Sequence, residues 1–61
     1  MIKTDEKLLT EAEVSRILGI KQRTLQQWRL TERGPKFLKL SARVVRYRLS
    51  DVQNWISEAQ L

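Results

Sequence analysis

Nine of the ten charged residues between positions 21 and 48 are basic: Lys21, Arg23, Arg29, Arg33, Lys36, Lys39, Arg43, Arg46 and Arg48 stand against Glu32 alone, a local net of +8. The first 20 residues carry −1 and the last 13 carry −2, so the charge is concentrated rather than spread. A central basic block between two acidic ends is the electrostatic footprint of a surface that meets a polyanion. Solubility alone does not require such segregation. Gln22, Gln26 and Gln27 lie in the same block, and an amide offers a donor and an acceptor side by side where a guanidinium offers a fork of donors. The chemistry available here is recognition by charge and hydrogen bonding.

Bond-making chemistry is poorly supported. The 61 residues include no cysteine and no histidine, which excludes a disulfide framework, a zinc finger, and a Cys or His nucleophile or base. Ser15, Ser41, Ser50 and Ser57 therefore have no imidazole partner. The acidic residues show no metal-ligand spacing, and no glycine loop could cradle a phosphate. We expect no catalytic residues, no metal, no cofactor and no small-molecule substrate. At 7.2 kDa the chain makes one small domain with barely enough length for a core. Its 41% hydrophobic content is too high for a disordered tail. No apolar run approaches a membrane span, and the charged start, Met1 to Lys7, is unlike a signal peptide. The expected location is cytoplasmic.

The elements that must carry these groups can be read from capping and periodicity. Residues 1–7 lack a pattern and read as a flexible lead-in; residues 8–61 read as one domain. Thr10-Glu11-Ala12-Glu13 has the form of a capping box, with Leu9 and Val14 placed to close over it as a hydrophobic staple. Val14, Ile17 and Leu18 share a helical face, and Gly19 ends the helix. A second helix runs from Lys21 to about Arg29 after a tight turn. Leu25 and Trp28 mark its buried side, while Gln22, Arg23, Gln26 and Gln27 point away from it. Two short helices joined through Gly19 and Ile20 have the layout of a helix-turn-helix.

Gly34-Pro35 breaks the helical pattern. Lys36 to Leu40 and Val44 to Arg48 then read as two strands separated by Ser41-Ala42-Arg43, with Val45, Tyr47 and Leu49 alternating against Arg46 and Arg48. Ser50-Asp51-Val52-Gln53 has the form of a second capping box, and Val52, Trp55, Ile56 and Ala59 keep helical spacing to about Gln60. Trp28, Trp55, Tyr47 and Phe37 are expected in the core, because so short a chain has few other large apolar groups.

The order helix, tight turn, helix, basic hairpin, helix, together with LLTEAEVSRILGIKQRTLQQW (8–28) and GPKFLKLSARVVRYRLSDVQNWI (34–56), resembles the MerR-like winged helix-turn-helix superfamily. Within it the chain looks most like small phage and plasmid excisionases and AlpA-type regulators. The most specific parts are the Leu8-Leu9-Thr10 start, Leu18-Gly19-Ile20, the spacing of Thr24-Leu25 and Trp28, and Val45-Arg46-Tyr47 leading to Ser50-Asp51-Val52 and Trp55-Ile56. Lys21 stands where the family often has Ser or Thr, so the second helix should lack a side-chain cap. The hairpin turn has no glycine, so a type I′ turn is not expected.

The resemblance implies a mainly α fold with a small β-hairpin, the winged helix-turn-helix, whose second helix enters the major groove of double-stranded DNA. Gln22, Arg23, Gln26 and Gln27 would then read bases, since Gln pairs with adenine N6 and N7 and Arg with guanine O6 and N7. Lys21, Thr24 and Arg29 would hold phosphates. Lys39, Arg43, Arg46 and Arg48 would form the DNA contacts of the wing. The implied function is a sequence-specific DNA-binding protein, an excisionase that binds and bends DNA beside an integrase site, or an AlpA-type transcriptional regulator using the same mode. An integrase or adjacent copies of the chain would be its protein partners. The absence of a long coiled coil or an effector domain favours an accessory architectural factor.

Blander readings stand beside these. Gln26 and Gln27 are good helix formers that need only be solvated, Arg46 has Asp51 or Glu58 as possible ion-pair partners, and Arg33 and Lys36 flank a turn where they need touch nothing. A protein-interaction adaptor or antirepressor would need an exposed apolar patch, for which Leu30, Leu38 and Leu61 are scattered candidates. RNA reading is disfavoured because the aromatics are committed to the core.

Overall fold

The computed structural model describes residues 7–59. Of the expected lead-in only Lys7 falls within that span, and Gln60 and Leu61 lie outside it. The element order is β1 (Leu8–Leu9), α1 (Glu11–Leu18), α2 (Gln22–Leu30), β2 (Leu38–Ser41), β3 (Val44–Arg48) and α3 (Leu49–Ala59). Three helices and a basic hairpin in this order form a winged helix-turn-helix.

Local chemistry sets the first helix. The Thr10 hydroxyl accepts from the Glu13 N–H at 3.1 Å, and Glu13 Oε1 accepts from the Thr10 N–H at 2.9 Å, so both halves of the capping box are present. Gly19, at φ 69°, ψ 32°, closes the other end, with the Ile20 N–H donating to Ser15 O at 3.0 Å. An eight-residue helix cannot hold itself together in water, so packing must do so. Its buried face is centred on Val14, Ser15 and Leu18. Ile17, expected on that face, is 51% exposed, because it lies about a quarter turn round the helix from the centre of the buried stripe. Ser15 meets burial by donating its hydroxyl to Ala12 O at 2.7 Å.

At the N-terminus of α2, Lys21 has extended geometry and no side-chain cap bond, as its chemistry requires. The other end of α2 closes without glycine: Glu32 adopts φ 57° and the Arg33 N–H donates to Trp28 O at 2.7 Å. This is the pattern in which a left-handed residue lets the chain reverse over the last turn. Gly34 follows at φ 77°, and a Cβ there would lie 2.5 Å from Trp28 Cε3. Gly34 therefore lies flat against the Trp28 ring.

The sheet has the order β1-β3-β2, with β3 central and both pairings antiparallel. The β1 strand, two residues long, pairs Leu8 with Arg48 and Leu9 with Tyr47; a dipeptide has no periodicity that could announce it. In the hairpin Lys39 faces Val45 and Ser41 faces Val44. Leu40 is thus an extra residue in the ladder, and Ala42-Arg43 alone make the turn. Neither has positive φ, so the turn is not type I′, in line with the missing glycine.

The capping box expected at Ser50 does not form. The β3 strand passes into α3 with no residue between them, which puts Ser50 inside the first helical turn, and neither Ser50 nor Gln53 makes a side-chain hydrogen bond among the described residues. Instead the Leu49 N–H, the first of the helix, donates to Lys7 O at 3.1 Å, so pairing with the chain ahead of β1 satisfies one of the donors that a helix start leaves without an intrahelical partner. Asp51 does occupy the first turn, where the helix dipole favours it.

The core joins one residue or more from nearly every element: Leu9, Val14, Leu25, Tyr47 and Val52 are buried, with Leu18, Ile20, Trp28, Val45, Leu49 and Ile56 packed around them. Burying each aliphatic side chain contributes roughly 1.5–3 kcal/mol. Trp28 and Trp55 pack together, ring centroids 5.4 Å apart at 47°. Phe37 departs from expectation. It is 37% exposed and lies beside the core, its ring 6.3 Å from that of Tyr47.

Candidate nucleic-acid interface

The outward face of α2 carries Gln22, Arg23, Gln26 and Gln27, all exposed, with exposed Lys21 at its start. The burial of Leu25 and the packing of Trp28 orient this face outward. Thr24 is half-buried, and its N–H donates to Lys21 O at 3.0 Å. With no side-chain cap, the first N–H groups of α2 and the Lys21 ammonium together favour an anion at this end.

The wing sits beside that helix. One groove is lined by Thr10, Glu11 and Ala12 at the start of α1, Gln22, Gln26 and Arg29 of α2, and Arg43, Val45 and Arg46 of the hairpin. Tertiary packing thus brings Gln22 and Gln26 together with Arg43 and Arg46, which are about 20 residues apart in sequence. Arg43 is exposed at the turn; Arg46 is half-buried and donates from Nη1 to Val45 O at 2.8 Å. No ion pair joins Arg46 to Asp51 or Glu58 among the described residues. Lys39 is exposed and Arg48 half-buried, and neither lines the groove. Arg48 lies at the β1 end of β3, opposite Leu8.

Arg29 is engaged within the fold. Its Nη1 bonds Glu11 Oε1 in an ion pair and donates to the Tyr47 hydroxyl at 3.2 Å, and its guanidinium carbon sits 5.8 Å from the centre of the Phe37 ring. The two charged side chains are only 21% and 19% exposed, so water screens the pair less than at a free surface. Glu11 Oε2 accepts from Gln26 Nε2 at 2.9 Å. Desolvation works to raise the Glu11 pKa, but the hydrogen bonds from Gln26 and Arg29, with the Arg29 charge, outweigh it and hold the carboxyl below its usual range. For Arg29 desolvation again opposes, and bonding to Glu11 and Tyr47 wins, raising its pKa.

Three residues that shape this interface have no local signature of doing so. Glu11 reads from sequence as a first-turn acid, but it reaches across 15 and 18 residues to α2. Tyr47 reads as core, yet its hydroxyl fixes Arg29. Gly34 reads as a break, and it is the seat of Trp28.

A family model described as a helix-turn-helix domain matches residues 8–60. The chain belongs to this helix-turn-helix domain family. It is a family of small DNA-binding domains, and the match spans both helices of the motif, the hairpin and α3. In this helix-turn-helix domain α2 is the second helix of the pair, the one that such domains lay in the major groove. Double-stranded DNA is accordingly the ligand class of the domain. A search of curated proteins finds no match. Among the described residues no helix is long and apolar enough to cross a membrane.

Proposed function

We propose that this helix-turn-helix domain is an excisionase of the MerR-like type, which reads and bends DNA beside an integrase site and performs no chemistry of its own. The observation that carries the reading is the single groove onto which Gln22 and Gln26 of α2 and Arg43 and Arg46 of the wing converge. Gln22, Arg23, Gln26 and Gln27 read base edges, each good bidentate pair contributing roughly 1–3 kcal/mol of discrimination. Lys21 and Thr24 hold phosphate at the start of α2. Lys39, Arg43, Arg46 and Arg48 contact backbone or minor groove from the wing. Arg29 fixes α2 to α1 and β3 through Nη1, and the phosphate contact expected of it falls to the remaining donors of its guanidinium.

Fluorescence anisotropy across a salt series tests the DNA reading, using duplex from beside the gene and a scrambled control. Tighter binding to the native duplex with a log–log salt slope of about −4 to −6, for five or six neutralised phosphates, is the expected result. Equal binding to both duplexes refutes sequence reading. End-to-end energy transfer on the bound duplex tests the excisionase role: a marked bend, with cooperative loading on adjacent sites, supports it, and a straight duplex bound by independent copies favours an AlpA-type regulator.

A further inference from the structure

We propose that Glu11, on the first helix and at the edge of the groove that Gln22 and Gln26 line, makes Gln26 a reader of adenine by holding its amide in one of its two orientations. The inference rests on the DNA-reading role proposed for α2. A glutamine amide is nearly symmetric in shape, so a solvated one presents either its oxygen or its nitrogen outward. An ionised carboxylate accepts only, and Glu11 Oε2 lies 2.9 Å from Gln26 Nε2. The nitrogen therefore faces Glu11, and the carbonyl oxygen and one N–H remain free.

Glu11 is itself held. Its other oxygen, Oε1, is occupied by Arg29, which Tyr47 and Phe37 position in turn, and Tyr47 is 1% exposed. The amide is thus tied through two charged groups to the core. Its carboxyl stays ionised at neutral pH because Gln26 and Arg29 lower its pKa against the opposing desolvation. A free oxygen beside a free N–H matches the N6 donor and N7 acceptor of adenine. Guanine presents O6 and N7, both acceptors, and would set its O6 against the amide oxygen.

The test compares wild type, Gln26→Ala, Glu11→Gln and the double variant on a duplex selected by the wild type from a randomised pool, and on its single-pair variants. Wild type should prefer A·T to G·C at one position by about tenfold. Gln26→Ala should abolish that preference, Glu11→Gln should reduce it severalfold at the same position, and the double variant should match Gln26→Ala. A uniform loss of affinity from Glu11→Gln, or a changed preference at another position, overturns the inference, because that is what a structural role alone produces. Wild type that shows no preference for its selected duplex over a scrambled one sinks the DNA-reading proposal and this inference with it. Wild type that discriminates while Glu11→Gln keeps the full preference sinks this inference alone. Should Glu11→Gln fail to fold, the side-chain amide resonances of Gln26 in the wild type are followed through an acid titration. They should move with the protonation of Glu11, and their failure to move overturns the inference.

Discussion

Replacing Gly34 by alanine places a methyl group 2.5 Å from Trp28 Cε3 and 3.2 Å from Cδ2, at a backbone φ of 77°. Two costs combine. A side chain in the left-handed region costs roughly 1–2 kcal/mol, and forcing an atom into an occupied site adds about 1–3 kcal/mol. The same substitution at Gly19, with φ 69° and nothing within 4 Å of the added carbon, incurs only the first. The two variants should therefore differ by about 1–3 kcal/mol, although both lose a left-handed glycine. In a domain this small a shift of 1 kcal/mol moves the midpoint by roughly 4–8 °C, and a single core supplies only about 3–5 kcal/mol in total. Gly34→Ala should then be largely unfolded at 37 °C and Gly19→Ala weakened but folded. Urea unfolding at low temperature, followed by tryptophan fluorescence and far-UV circular dichroism, measures both. Equal destabilisation within about 0.5 kcal/mol would refute the claim that the Trp28 contact, rather than backbone conformation, makes Gly34 necessary.

Three further outcomes follow from the same geometry. Lys21→Ser supplies the missing cap, so it should stabilise the fold by about 0.5–1 kcal/mol in urea unfolding while reducing the magnitude of the DNA salt slope by about 0.9. Glu32→Gly relieves the φ of 57° and should leave stability unchanged or raise it by up to about 1 kcal/mol, whereas Glu32→Val should lower it. Glu11 and Glu13 both have lowered folded-state pKa values: for Glu11 hydrogen bonds from Gln26 and Arg29 prevail over desolvation, and for Glu13 the Thr10 N–H and hydroxyl bind the carboxylate. A lowered folded pKa gives stability that is complete above the unfolded value and is lost as pH falls through the folded one. Melting temperature should therefore fall on acidification below the usual carboxylate range, and Glu11→Gln should fall less steeply.

Sequence determined what is local. The Thr10–Glu13 box, the Gly19 end, the buried side of α2, the uncapped Lys21 and the glycine-free turn all depend on residues within one turn or one hairpin, and each is present as its chemistry requires. The segregated charge of residues 21–48 likewise needs no fold to be legible, and by itself it points to a polyanion. The expected box at Ser50 failed because β3 runs straight into α3, and a strand pairing with residues about 40 positions earlier decides that. Ile17 is exposed because helical spacing marks a stripe without fixing its centre, and what packs against it settles which edge is wet; Phe37 is partly exposed because a residue's size does not decide which part of the fold covers it.

The interface divides in the same way. Which residue types could read DNA was plain from Gln22, Arg23, Gln26 and Gln27, because their donors and acceptors are properties of the side chains. That Arg29 faces inward to Glu11, Tyr47 and Phe37, that Gln26 is tied to α1, and that Arg43 and Arg46 share a groove with α2 were decided by tertiary structure alone. Apart from Arg29 and Phe37, these groups are 15 or more positions apart, and such distances close only when the burial of Leu9, Val14, Leu25, Tyr47 and Val52 brings the elements together.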